Sequence, residues 1–257
     1  MNQALALGTL LAIQSLMTSV ATADKKPYTL ADLKELVSQK SFKEAVEHLN
    51  DVAPSERKAE WLDTAATAGA GYIAGLSNDN MVTKVIAIEQ LDADVAPILK
   101  VAKYTKVRAE IGLKAYDACL QNNHWADECV EHAIKFVETD ASNVDLALRM
   151  AKIVRKNAKS WAALPFFKRA LAGKPSAAAC KDADLSLAVI SGLALPKDYD
   201  RAADARTIAG GACWDHLKKP ILAAFDEDSE NGYVRQNSCD LLKAKKALGA
   251  EQARTCK

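Results

Sequence analysis

The chain has 257 residues, which is room for one or two domains that each bury a hydrophobic core. Hydrophobic residues make up 49% and charged residues 26%, a balance that excludes intrinsic disorder, collagen and a protein of many membrane spans. The 34 basic and 33 acidic residues leave a net charge of +1, so we predict no nucleic-acid partner. Alanine is abundant whereas glycine (11) and proline (7) are scarce, which favours an all-helical protein.

The first residues have the pattern of an export signal. The stretch from Ala4 to Met17 is almost wholly apolar, and no charged residue precedes Asp24. It is followed by Ala21-Thr22-Ala23, whose small residues suit a signal peptidase. We predict a signal peptide over residues 1–23, cleavage after Ala23, and a periplasmic or secreted mature chain without a membrane span. An uncleaved anchor is the alternative, although the apolar run is short for a hydrocarbon layer of about 30 Å.

Apolar residues then recur at helical spacing along the rest of the chain, with turn signals between them. We find no convincing strand, so residues 24–257 are predicted to form a single α-helical repeat domain with short loops. The predicted helices are 30–37, 42–49, 54–73, 81–91, 95–101, 107–120, 125–137, 144–155, 161–171, 185–193, 202–208, 213–225 and 234–248.

All six cysteines lie in the later half of the chain, at Cys119, Cys129, Cys180, Cys213, Cys239 and Cys256. An even number in an exported protein predicts three disulfides, because export leads to an oxidising compartment. Many connectivities are possible, and the sequence does not decide among them. Pairing of each cysteine with the next along the chain is favoured, since the first two flank a short polar turn between predicted helices.

The predicted helices come in pairs that recur at a regular interval. Trp125 and Trp161 are 36 residues apart, and Trp161 and Tyr199 are 38 residues apart. Each of these aromatic residues follows a polar turn and opens the second helix of a pair, as Phe42 does earlier. A two-helix repeat of about 34–40 residues is typical of an α-solenoid.

The pair over residues 144–171 carries the most specific pattern. Four residues of its second part have the spacing Ala-x3-Phe-x2-Ala-x4-Pro: Ala163, Phe167, Ala170 and Pro175. Four residues of its first helix fall at the matching packing positions: Ala147, Met150, Ala151 and Val154. On these residues the chain resembles the tetratricopeptide family, which implies stacked antiparallel helix hairpins. HEAT-like pairing is an alternative, and an irregular helical bundle is another.

The sequence offers few candidates for metal or cofactor binding. His124, Glu128 and His132 share one face of a helix, but the two histidines are about 12 Å apart along its axis, too far for one zinc ion. The acidic segment 226–232 lacks the glycine and glutamate positions of an EF-hand. We therefore interpret these residues as solvated and predict no metal site and no cofactor.

Catalytic motifs are also missing from the sequence. It contains no Gly-x-Ser-x-Gly, no P-loop and no Gly-x-Gly-x-x-Gly, so no catalytic residue is predicted. Lys152, Arg155, Lys156 and Lys159 form a basic stripe, which we interpret as a solvated face; a contact for an acidic partner is the alternative.

These features together predict an exported, right-handed stack of helix hairpins that binds rather than catalyses. Stacked pairs create a long curved surface, and such surfaces serve as docking sites for proteins or peptides. The expected partner is a protein or peptide of the cell envelope, held by the first helix of each pair. The alternative is an enzyme, or an auxiliary domain of one, acting on cell-wall glycan or peptide; it would need paired carboxylates in a cleft. A purely structural envelope component is a third possibility.

Overall fold

The chain forms helices joined by short turns. In a computed structural model of the protein the described residues are 27–122, 126–229 and 232–256. Within these ranges there are fourteen α-helices, four 3-10 turns and no β-strand, so the all-α prediction is confirmed there. The predicted signal peptide and its cleavage site after Ala23 lie outside the described residues.

The α-helices are numbered here in chain order. The first six are α1 Leu30–Ser38, α2 Phe42–Glu47, α3 Ala59–Gly75, α4 Met81–Asp94, α5 Ala102–Leu120 and α6 Ala126–Thr139. The other eight are α7 Val144–Asn157, α8 Leu164–Ala170, α9 Ala177–Cys180, α10 Ala183–Leu193, α11 Asp200–Gly210, α12 Trp214–Glu227, α13 Tyr233–Ala244 and α14 Ala250–Thr255. The 3-10 turns are Pro54–Glu56, Leu76–Asn78, Ala96–Lys100 and Ser160–Ala163.

Short polar residues fix where several helices begin. The side chain of the residue just before the helix accepts a hydrogen bond from a backbone N–H of the first turn. The residues that do so are Thr29, Asn80, Asn143, Ser176 and Asp182. Such a cap satisfies a donor that the helix itself leaves unpaired and contributes about 1 kcal/mol. Local sequence therefore determines where these five helices begin, namely α1, α4, α7, α9 and α10.

Two predicted helices begin later than the apolar spacing suggests. The segment predicted over 54–73 is a 3-10 turn at Pro54–Glu56, and α3 starts only at Ala59. The segment predicted as one helix over 161–171 is likewise divided: Ser160–Ala163 is a 3-10 turn, and α8 follows it. Pro165 explains the second case, because proline has no N–H to donate and is tolerated in the first turn of a helix.

Helices pack mainly on their neighbours in the sequence. The most extensive contacts join α3 to α5, α4 to α5, α7 to α8 and α10 to α11. Among the described residues, all substantial contacts between α-helices join helices no more than three apart in chain order. The buried apolar side chains nevertheless form one continuous cluster, which runs from Leu33 to Cys256.

The residues that carry the tetratricopeptide resemblance lie in this core. Seven of the eight are buried: Ala147, Met150, Ala151, Val154, Ala163, Phe167 and Ala170. Pro175 is partly exposed and precedes α9. Burial of these positions is expected of any packed helix pair, so it fits the resemblance without singling out that family.

Three disulfides join adjacent helical segments. The Cα–Cα distance is 5.9 Å for Cys119–Cys129, 5.0 Å for Cys180–Cys213 and 5.4 Å for Cys239–Cys256, all within the usual range. This is the sequential pairing that the sequence favours. The bonds link α5 to α6, α9 to the turn before α12, and α13 to the residue that follows α14.

A buried ion pair holds α4, α5 and α6 together, and sequence analysis did not identify it. Arg108 of α5 is completely buried, and its guanidinium contacts the carboxylate of Asp92 on α4 at 2.5–2.9 Å. The hydroxyl of Tyr104 donates to the same carboxylate at 2.8 Å. Arg108 also donates to the carbonyl of Phe136 on α6 and lies 4.0 Å from the centre of its ring.

Glycines allow close approach between several helices, and Gly112 and Gly192 are two examples. A Cβ atom on Gly112 of α5 would lie 2.3 Å from the ring of Phe136, and one on Gly192 of α10 would lie 2.5 Å from Leu164 and 2.8 Å from Ala205 of α11. Atoms cannot approach this closely without a shift, so a hydrogen is the only side chain that fits.

No helix of the described residues is both long enough and apolar enough to cross a membrane.

Candidate functional site

A groove with a volume of about 740 Å3 crosses three helices and is the candidate functional site. We call it the α6–α8–α11 groove; its apolar part is formed by Ile134 and Val137 of α6 and by Pro165 and Phe166 of α8. Tyr199, which immediately precedes α11, stands at its edge and is 56% exposed. Val137 and Phe166 are almost completely buried, so Ile134, Pro165 and Tyr199 supply the apolar surface that a partner could reach. Aromatic and aliphatic side chains of this kind are common in protein-binding surfaces.

Charged side chains across the groove form a connected network. Lys168 of α8 contacts Asp204 of α11, with 2.6 Å between Nζ and Oδ1. Arg201 of α11 lies 3.7 Å from the second oxygen of Asp204 and 3.4 Å from a carboxylate oxygen of Glu131 on α6. Partly exposed pairs of this kind contribute at most about 1 kcal/mol each, so the three helices are held together mainly by their shared apolar core, and the pairs set which charges line the groove.

Two smaller hollows lie beside α6, and only the first of them shares lining residues with the groove. One, of about 420 Å3, shares Glu131 and Arg201 with it and reaches Trp161, whose ring centre lies 5.7 Å from the Nζ atom of Lys159. The other, of about 450 Å3, lies between α4 and α6 and shares Glu128 and His132 with the first. Helix α6 is therefore bordered by recesses on both of its exposed sides.

Each helix that lines the groove packs against the helix that precedes it in the chain. Helices α6, α8 and α11 each follow the partner against which they pack, namely α5, α7 and α10. The prediction that first helices carry the binding residues therefore concerns other helices than those that line this groove. The exposed position of Tyr199 also shows that the periodic aromatic residue of this pair is a surface residue.

Of the three residues considered for a zinc site, Glu128 and His132 lie in the described part of the chain. His132 contacts the carboxylate of Glu89 at 2.7 Å, Glu128 is exposed, and His124 lies outside the described residues. In the acidic segment, Asp226 accepts a hydrogen bond from Gln252 at 2.8 Å. Over the part of the chain that the structure describes, no three metal-binding side chains come together.

Part of the basic stripe joins α7 to the start of α10. Lys152 contacts Asp182 at 2.9 Å, and Arg155 contacts Asp184 at 2.5 Å, so α7 is linked to the start of α10. The hydrogen bond to Asp182 raises the pKa of Lys152 above its ordinary value. Two of the four basic residues therefore already have acidic neighbours within the chain.

Comparison of the chain with known protein families, with curated proteins and with solved structures found no match.

Proposed function

We propose that the protein is an exported α-helical solenoid that binds a protein or peptide of the cell envelope in the α6–α8–α11 groove. The order of helix packing supports a solenoid, because contacts between near neighbours in the sequence are characteristic of stacked hairpins. The three disulfides support export, because such bonds persist in oxidising compartments. Tetratricopeptide-like pairing is the form of solenoid that we favour, and HEAT-like pairing is the alternative.

The groove is the observation that carries the proposal. Its apolar floor can bury side chains of a partner, and its network of Glu131, Lys168, Arg201 and Asp204 places fixed charges beside that floor. Charges at the edge of an interface select partners and set their register, whereas apolar contacts supply most of the binding free energy. A groove whose helices already pack on a shared apolar core requires little reorganisation when a partner binds.

The test is site-specific photocrosslinking in envelope extracts. We would place p-benzoylphenylalanine at Tyr199, at the groove edge, or at Tyr233 of α13, which is similarly exposed (46%) and does not line the groove. A discrete adduct at position 199 and none at 233 is expected. Glu138→Lys in the first variant should remove that adduct, since it reverses an exposed charge that lines the groove outside the ion-pair network, while leaving the thermal midpoint nearly unchanged. Equal adducts at both positions, or none at 199, would refute the proposal.

The alternative function is an enzyme or an auxiliary domain that acts on cell-wall glycan or peptide. Four carboxylates line the groove, and two of them, Glu131 and Asp204, contact Arg201; the other two are Glu138 and Asp200. Acid–base chemistry needs one carboxyl group that can hold a proton and one that faces the substrate freely. The pairing of Glu131 and Asp204 with the cation of Arg201 therefore favours binding. Release of soluble fragments from cell-wall material would instead favour the enzyme.

A further inference from the structure

A second surface, separate from the α6–α8–α11 groove, exposes aliphatic side chains to solvent. Val82 and Ile86 lie one turn apart on α4 and are 51% and 56% exposed. They line the hollow of about 450 Å3 between α4 and α6, which we call the α4–α6 cleft. Residues four apart share one face of a helix, so the two side chains form a single apolar strip.

The cleft is held in shape by covalent and packing contacts. Its lining includes Cys119 and Cys129, whose disulfide joins α5 to α6, and the side chain of Val85, which is buried. Helix α4 itself packs against α5. The cleft therefore exists before any partner binds, as recognition sites usually do.

The ionisable groups that line the cleft are predominantly acidic. They are Glu89, Glu128 and His132, and Nδ1 of His132 lies 2.7 Å from a carboxylate oxygen of Glu89. The hydroxyl of Tyr116 also donates to Glu89, at 3.3 Å. Two carboxylates outweigh one imidazole whether or not that imidazole is protonated, so the cleft attracts a cation.

We propose that the α4–α6 cleft binds a basic, aliphatic segment of a partner protein. A leucine-like side chain of that segment packs against Val82 and Ile86, and an adjacent lysine or arginine faces Glu89 and Glu128. This inference extends the proposed binding function to a second site, but it depends on neither the α6–α8–α11 groove nor Tyr199. The chemistry of the partner follows from the two features that the cleft combines, which are an aliphatic strip and negative charge.

Three labelled synthetic peptides of equal length test the proposal by fluorescence anisotropy. The first alternates leucine and lysine on helical spacing, the second replaces lysine by glutamate, and the third replaces leucine by serine. We expect the mature, oxidised protein to bind the leucine–lysine peptide at least about tenfold more tightly than either control, because removing the apolar anchor or reversing the charge each removes a main contact.

Variants locate the binding on the protein. Val82→Ser with Ile86→Ser should weaken binding of the leucine–lysine peptide by about tenfold or more. The matched control is Val144→Ser with Leu187→Ser, two aliphatic residues that are each 48% exposed and do not line the cleft; it should bind as the wild type does. Glu128→Gln should weaken binding and reduce its dependence on salt, since one attractive charge is lost.

Several results would overturn the proposal. One is equal binding of the lysine and glutamate peptides, and another is unchanged binding by the Val82/Ile86 variant. A thermal midpoint that falls far more in that variant than in the Val144/Leu187 control would show that the strip is covered by the chain itself. A dimer in sedimentation that disappears in the same variant would assign the strip to self-association. None of these four results affects the crosslinking experiment at Tyr199, which tests the α6–α8–α11 groove.

Discussion

Replacing Arg108 tests whether its ion pair with Asp92 holds the middle of the protein together. In Arg108→Met the carboxylate of Asp92 stays buried and keeps only the hydroxyl of Tyr104 among the partners described. Removing one partner of a buried pair costs about 3–5 kcal/mol, because the other charge is left uncompensated. Methionine retains much of the apolar stem of arginine, so lost packing against Phe136 should add little.

The free energy of unfolding is best measured by urea titration followed by circular dichroism, with the disulfides intact. The double variant Arg108→Met with Asp92→Leu should recover most of the loss, since a well-packed apolar pair is often as stable as a buried ion pair. Lys43→Met is the control: its 3.9 Å contact with Glu47 is exposed, and such i, i+4 pairs contribute about 0.5 kcal/mol or less. A cost below about 1 kcal/mol for Arg108→Met would refute the reasoning, as would a double variant less stable than the single one.

Three further predictions concern stability. Gly112→Ala should cost about 1–3 kcal/mol in urea titration, because its Cβ would lie 2.3 Å from an aromatic ring, whereas Gly75→Ala, which meets nothing within 4 Å, should not destabilise. Burial raises the pKa of Tyr116 well above its ordinary value of 10.0, so above pH 10 this residue ionises only in the unfolded chain. Ionisation of Tyr116 should therefore lower the free energy of unfolding by about 1.4 kcal/mol at pH 11. In Tyr116→Phe the free energy of unfolding should fall less steeply with pH. Replacing Cys180 and Cys213 by alanine opens a loop with a sequence separation of 33 and should cost about 3–4 kcal/mol, visible as a lower thermal midpoint; an unchanged midpoint would contradict the chain-entropy argument.

Helix positions could be predicted from the sequence where the signal is local. Apolar spacing and polar caps such as Asn80 and Asn143 act within a few residues, and the predicted starts of α4 and α7 match the structure. The short helices α9 and α14 were missed because four and six residues are too few to show a period. The pairing of the cysteines could likewise be predicted, since neighbouring helices bring successive cysteines together.

Long-range contacts could not be predicted. Lys168 and Asp204 are 36 residues apart, and only the packing of α8 against α11 brings them together at the groove. Arg108 and Asp92 each look like ordinary surface residues until the faces of α4 and α5 that meet are known. The exposed strip on α4 was missed for the opposite reason, because an apolar residue at helical spacing is normally interpreted as part of the core.

The uneven placement of the disulfides has a mechanical consequence. All three close loops after Cys119, so α1 to α4 carry no covalent crosslink. If the two ends of the chain were pulled apart, the segments enclosed by these bonds would not lengthen, and extension would be confined to the remaining backbone. A reducing agent should therefore increase the final length of the stretched molecule, and the whole of that increase would come from the half of the chain that contains the cysteines.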